Sequence, residues 1–160
     1  MKVQIIKPDS KDQRQVYDAC FFLAGSIEMG AAEDWQKLVE DKFKNDPVTI
    51  FNPRRDSWDS SWEQRIHSEP FYNQVTWELE RLDESDIILM YFDPNTKSPI
   101  SLLELGLYAK DEKIIVVCPD GFWRKGNVEI VCKREGIPML KDLNEAVEYI
   151  KDEFGLNEDE

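Results

Sequence analysis

A glutamate stands inside an unusually apolar stretch of the chain. Glu104 is flanked by leucines in residues 98–106 (SPISLLELG). A carboxylate among apolar side chains loses hydration, which raises its pKa unless a partner stabilises the charge. Carboxyls perturbed in this way are typical of acid catalysts and nucleophiles. The same pattern also fits a plain charge on the narrow polar stripe of a surface helix, so both interpretations of Glu104 stay open.

A second acidic candidate, Glu78, lies beside Trp77 in residues 74–86 (QVTWELERLDESD). The spacing of the apolar residues in this segment indicates a helix. A charge on the exposed face of that helix is the alternative to a role in a site.

Small residues follow the first long apolar run, at Gly25 and Ser26. At a turn between a strand and a helix, such residues let backbone amides approach a ligand. The glycine spacing differs from the dinucleotide-binding fingerprint, so a simple turn is the alternative.

A polar loop rich in tryptophan and arginine occupies residues 52–64 (NPRRDSWDSSWEQ). Its length and lack of periodicity indicate a functional loop rather than a simple connection. Trp58 and Trp62 could stack on a base or cover the core. Arg54 and Arg55 could bind a phosphate or pair with local carboxylates.

The composition argues against several kinds of site. His67 is the only histidine, and Cys20, Cys118 and Cys132 are far apart, each within or beside an apolar run. We therefore expect buried, reduced thiols and no metal site.

The charge and hydropathy also restrict the partners. The formal net charge is −13, which disfavours nucleic acid polymers and anionic membranes. No apolar run reaches the length of a membrane helix, and the first residues lack a signal sequence. We expect a cytoplasmic protein whose ligand is a small molecule.

The elements that must position these residues alternate between strands and helices. We predict strands at 17–24, 48–52, 86–92, 113–119 and 128–132, and helices at 31–44, 71–84, 99–110 and 141–154. Residues 3–7 (VQIIK) are an extra edge strand or a lead-in. The inward faces of three helices are expected to include Trp35, Leu38, Val39 and Phe43; Val75, Leu79 and Leu82; and Leu143, Ala146, Val147 and Ile150.

This alternation predicts a doubly wound parallel sheet with helices on both faces. Ligands bind such sheets beyond the carboxyl ends of the strands, near the topological switch point. The residues at that edge are Gly25 and Ser26, and residues 52–55, 93–104 and 119–127.

Five segments, in this order, resemble the nucleoside 2-deoxyribosyltransferase-like proteins: FLAGSI, NPRR with a following tryptophan, QVTWEL, SPISLLELG and FWRKGNV. The resemblance extends from about residue 20 to residue 148. It implies one domain over residues 1–160, with a core at about 17–154 and an acidic C-terminal tail. The implied fold is a flavodoxin-like, five-stranded parallel sheet in three α/β/α layers. It also implies a homodimer or a higher homo-oligomer.

The resemblance implies a reaction and residue roles. Family members cleave the N-glycosidic bond of 2′-deoxynucleosides, hold the deoxyribose on a glutamate, and transfer it to another base or to water. Here the nucleophile would be Glu104, and Glu78 would orient the base. Asn127 matches an asparagine that contacts sugar hydroxyls, often across a subunit interface. The full set of expected substrate-binding residues is Gly25, Ser26, Asn52, Arg54, Arg55, Trp58, Asp93, Ser98 and Asn127.

Two carboxylates suit this chemistry. Departure of the base leaves an oxocarbenium-like sugar, which an ionised carboxylate beneath C1′ stabilises and traps. A second acidic group protonates the leaving base. The implied reaction needs no metal and no cofactor.

One residue departs from the transferase pattern. Family transferases carry an aspartate six residues before the nucleophile, where this chain has Ser98. The resemblance places a serine there in relatives that hydrolyse deoxynucleoside monophosphates, where it binds the phosphate. Hydrolysis of a nucleotide, including an NAD-type substrate, therefore stays open beside base exchange. A domain that senses nucleotides without turnover, or a purely structural interaction module, is the alternative outside enzymes.

Overall fold

Short runs of apolar and β-branched residues form a parallel sheet at the centre of the structure, a computed structural model that describes residues 2–27, 34–55 and 61–157. Within those ranges, six strands pair in one sheet. They are β1 (Gln4–Ile6), β2 (Cys20–Gly25), β3 (Thr49–Phe51), β4 (Ile87–Tyr91), β5 (Ile114–Val117) and β6 (Met139–Leu140). The central strands are buried on both faces, which explains their continuous apolar runs.

Helices cover both faces of this sheet. They are α1 (Trp35–Lys42), α2 (Glu69–Glu84), α3 (Pro99–Tyr108), α4 (Lys125–Glu135) and α5 (Leu143–Glu153), with a short 3₁₀ turn at Ala109–Asp111. α1 and α5 pack on one face, through residues such as Val39 and Ile150. α2, α3 and α4 pack on the other face, through residues such as Leu82, Leu105 and Val128.

The strand order places a switch point between β2 and β4. The order is β1-β3-β2-β4-β5-β6, and every pair is parallel. Without β1, this is the flavodoxin-like order. The predicted fold is confirmed, with six strands instead of five, because the VQIIK segment adds an edge strand beside β3.

One predicted strand is wrong. Residues 128–132 (VEIVC) carry the β-branched residues typical of strands, yet they lie inside α4. Val128 and Cys132 face the core, whereas Ile130 is 70% exposed. Burial four residues apart is helical spacing, and β6 supplies the edge strand instead.

The predicted helix faces are mostly confirmed. Ala146, Val147 and Ile150 are buried, as expected for α5. Leu38 and Val75 are exposed, contrary to the prediction. Leu38 lines a surface groove of 540 Å³ between α1 and the start of α5, so it lies beyond the packed stripe of its helix.

Two further expectations concern the thiols and the helices. Cys20, Cys118 and Cys132 are buried and free, as predicted. In the part of the chain that the structure describes, no helix is long and apolar enough to cross a membrane.

Candidate active site

The turn after β2 requires a glycine. Gly25 has a φ of +142°, a backbone conformation that other residues rarely adopt. A Cβ at this position would lie 2.3 Å from the Tyr91 carbonyl oxygen and 2.9 Å from the Trp35 ring. The next residue, Ser26, donates its backbone N–H to the same Tyr91 oxygen at 3.0 Å. Gly25 therefore lets the ends of β2 and β4 meet at the switch point.

Three buried hydroxyl groups lie together at this junction. Ser26 Oγ is 2.5 Å from Ser98 Oγ, and Thr96 Oγ1 is 2.8 Å from Ser98 Oγ. Thr96 donates to Ser26 Oγ at 3.0 Å, and the backbone N–H of Asp93 donates to the same oxygen at 2.8 Å. The structure thus brings Ser26, Asp93 and Ser98 together, as the sequence predicted. It adds Thr96, which sequence reasoning missed.

Two of these residues also shape the loop that leads into α3. Asp93 is buried, and its Oδ1 accepts the backbone N–H of Asn95 at 2.8 Å, which closes a tight turn. Ser98 has a left-handed φ of 48° and immediately precedes Pro99, the first residue of α3. This geometry sets the start of the helix that carries Glu104.

Two carboxyl groups lie on neighbouring helices, Glu78 on α2 and Glu104 on α3, and Tyr108 of α3 donates to Asp83 of α2. Glu104 is 7% exposed, which excludes a solvated helix-surface charge. Burial, followed by the nearby charge of Glu78, raises the pKa of Glu104 to about 8. Burial raises the pKa of Glu78 to about 7, while a hydrogen bond from Gln74 opposes that rise. Glu104 is thus close enough to Glu78 for their charges to repel each other.

A buried glutamine connects this pair to the loop after β3. Arg55 Nη1 donates to Gln74 Oε1 at 3.0 Å, and Gln74 Nε2 donates to Glu78 Oε2 at 2.8 Å. Sequence reasoning missed Gln74. Its position four residues before Glu78, on the same face of α2, is the signal that could have found it.

The other residues of this loop are held differently. Asn52 donates to Glu40 Oε2 at 2.6 Å, and its Oδ1 accepts the backbone N–H of Arg54 at 2.9 Å. Arg54 Nη1 donates to Gln36 Oε1 of α1 at 3.2 Å. The guanidinium of Arg55 stacks over Trp62, with 5.2 Å between its Cζ and the ring centroid. Trp58 lies outside the described residues.

Two cationic side chains, Lys97 and Arg124, pack against Trp123 beside the start of α3. The exposed indole of Trp123 lies 4.2 Å from Lys97 Nζ and 4.3 Å from Arg124 Cζ, and its N–H donates to the Lys97 carbonyl at 2.9 Å. Asn127 is exposed in the first turn of α4, outside the buried group.

No set of three or more His, Cys, Asp or Glu side chains among residues 2–27, 34–55 and 61–157 is placed to hold a metal ion.

Comparison with protein families decides the relationship. A family model described as nucleoside 2-deoxyribosyltransferase like matches residues 19–122. The chain belongs to this family. No curated protein matches the chain. Membership in the nucleoside 2-deoxyribosyltransferase-like family indicates an enzyme of the glycosyl-transfer or glycosyl-hydrolysis type that binds a nucleoside. The matched residues include the Gly25 turn, the three hydroxyls and both carboxyls, whereas Asn127 lies beyond them.

Proposed function

We propose that the protein cleaves the N-glycosidic bond of a 2′-deoxynucleoside through a covalent deoxyribosyl ester on Glu104. The sugar is then transferred to another nucleobase or to water. The observation that carries this proposal is the pair of carboxyls on neighbouring helices, buried Glu104 and half-buried Glu78, both with raised pKa values. The family supports the reaction class.

Each carboxyl has a defined part in the reaction. The Glu104 carboxylate attacks C1′ while the bond from C1′ to the base nitrogen breaks, and protonated Glu78 gives its proton to the departing base. In the second half, ionised Glu78 takes a proton from water or from the acceptor base, which attacks C1′ and releases Glu104. Two displacements at C1′ retain the configuration.

The proton must therefore be on Glu78 at the moment of attack. Between pH of about 7 and about 8, the raised pKa values leave the pair with about one proton. Positive charge that develops at C1′ favours the ionised form of Glu104. That attraction gives an electrostatic reason for the proton to lie on Glu78 once substrate is bound.

A trapping experiment tests this proposal. A 2-fluoro sugar analogue of the nucleoside slows the second half of the reaction, so the glycosyl ester accumulates and mass spectrometry can locate it. We expect the label on Glu104 and loss of activity in Glu104→Ala. Glu129→Ala, which alters an exposed glutamate of α4, is the matched control. A Glu104→Ala protein that still cleaves deoxynucleosides would disprove the mechanism.

A second candidate is hydrolysis of a deoxynucleoside monophosphate. The three hydroxyls stand at the N-terminus of α3, where hydroxyl and amide donors favour an anion. Lys97 and Arg124 add positive charge beside it in an otherwise acidic chain. A chromatographic panel of deoxynucleosides and their monophosphates, with and without an acceptor base, separates the two functions.

We also propose that the enzyme is a homo-oligomer that assembles through α3. Ile100, Leu103 and Leu107 form an exposed apolar stripe, between 58% and 66% exposed. The only charged residue of α3 is the buried Glu104, so a second copy of this acidic chain can approach the stripe without repulsion. We expect Leu103→Lys to lower the molar mass measured by light scattering. An unchanged mass would exclude α3 as the interface.

We further propose a cytoplasmic location. The three buried free cysteines support it, because reducing compartments keep thiols unpaired.

A further inference from the structure

The side-chain amide of Gln74 is held in one orientation. Its Oε1 accepts from Arg55 Nη1 at 3.0 Å, while its Nε2 donates to Glu78 Oε2 at 2.8 Å and to the Pro53 carbonyl at 3.4 Å. A guanidinium group can only donate, and a carbonyl can only accept. The amide therefore presents an N–H, and never its oxygen, to Glu78.

We propose that Gln74 is a positioning residue that keeps the negative charge of the acid pair on Glu78, and the proton on Glu104, while the site is empty. An N–H donated to a carboxylate oxygen favours the ionised carboxylate. The guanidinium of Arg55 polarises the amide and strengthens that donation. Gln74 is itself buried, so water does not compete for the bond.

The charged and titratable groups described near the pair come from α2, α3 and the loop after β3. The charge of Glu78 acts on Glu104 of α3, and the charge of Glu104 acts on Tyr108 of the same helix. The hydroxyl of Tyr108 donates to Asp83 of α2 at 2.7 Å. Arg55 is a cation that acts on Glu78 through Gln74.

The position of the proton on Glu104 affects the reaction, and this step rests on the proposed function. In the empty site the nucleophile is protonated and therefore weak. A bound base that must accept a proton from Glu78 requires the opposite arrangement, with the proton moved from Glu104 to Glu78. Gln74 thus makes ionisation of the nucleophile depend on an occupied site.

Carboxyl titration of the substrate-free protein tests the order of ionisation directly. Glutamate carboxyls labelled with ¹³C are followed by NMR from pH 4 to pH 10, and Glu78→Gln and Glu104→Gln assign the two signals. We expect Glu78 to ionise before Glu104. In Gln74→Met, the ionisation of Glu78 should move up by about one to two pH units, because a hydrogen bond to a charged group is lost.

Two further variants, Gln36→Met and Arg55→Met, serve as a control and a second test in this titration. Gln36→Met is the control, because Gln36 also accepts from an arginine, Arg54, but its Nε2 has no hydrogen-bond partner among the described residues. It should leave the titration unchanged. Arg55→Met retains Gln74 and should give a smaller upward shift, which preserves the test if Gln74→Met fails to fold.

Two results would overturn the inference. One is a wild-type titration in which Glu104 ionises first. The other is a folded Gln74→Met or Arg55→Met protein in which the ionisation of Glu78 is unmoved. Failure of the proposed function has a different signature: the titration would behave as expected, while no glycosyl label would appear on Glu104.

Discussion

Replacing Glu104 with glutamine should stabilise the free protein, by an amount that grows with pH. The exchange removes the charge and keeps the shape of the side chain. Burial raises the pKa of Glu104 from 4.5 to about 8, so the native state binds this proton more tightly than the unfolded chain does. The wild-type protein therefore loses stability as the pH rises from about 4.5 to about 8, and the loss levels off above that range.

The size of the effect follows from the shift. A difference of about 3.5 units, at about 1.4 kcal/mol per unit, gives at most about 5 kcal/mol at high pH. The linkage relation gives a difference of about 1 kcal/mol at pH 5 and about 4 kcal/mol at pH 8. Part of the cause is repulsion from Glu78, which the substitution also removes.

Urea denaturation at several pH values measures this difference. The transition midpoint of Glu104→Gln should rise relative to wild type between pH 5 and pH 8, with an unchanged slope. Glu129→Gln, which removes an exposed charge on α4, should track the wild type at every pH. A Glu104→Gln difference that stays flat from pH 5 to pH 8 would refute the reasoning from burial, whatever the variant does to catalysis.

Three further predictions concern the reaction and the switch-point turn. The pH profile of kcat/KM should be bell-shaped with limbs near pH 7 and pH 8, because the pair must hold one proton. Glu78→Gln should remove the basic limb from the residual activity, because the group that donates the proton is gone, and a basic limb that persists would contradict this role of Glu78. Gly25→Ala should lower the free energy of unfolding by about 3 kcal/mol or more, since its Cβ would overlap the Tyr91 carbonyl oxygen, and an unchanged midpoint in urea would contradict that geometry. Ser98→Ala should reduce cleavage of a deoxynucleoside monophosphate about tenfold relative to the nucleoside if the serine binds phosphate, and an equal loss on both substrates would assign it a structural role.

The parts of the fold that follow from local pattern could be read from the sequence. β4 and β5 are continuous apolar runs, and buried parallel strands are made of such runs. Residues 128–132 misled because their β-branched side chains favour a strand locally, whereas packing of α4 against the sheet selected helical spacing. The composition of a short segment cannot predict whether it forms a strand or a helix when packing against distant elements decides the outcome.

The same distinction between local pattern and distant contacts applies to the residues of the candidate active site. Glu104 could be found because a carboxylate among leucines is anomalous within its own segment. Gln74 and Thr96 could not, because each acquires its role from a distant partner. Gln74 matters through Arg55, which lies 19 residues away, and Thr96 through Ser26, which lies 70 residues away.

The two consecutive arginines, Arg54 and Arg55, lie on opposite faces of the sheet. Side chains of successive residues in an extended segment point to opposite faces of a sheet. Arg54 accordingly reaches Gln36 of α1 on one face, and Arg55 reaches Gln74 of α2 on the other. A single phosphate bound by both guanidinium groups would require at least one of them to leave its glutamine and change faces. The doublet therefore cannot act as one phosphate clamp in this arrangement, and Arg55 is the member placed to influence the acid pair.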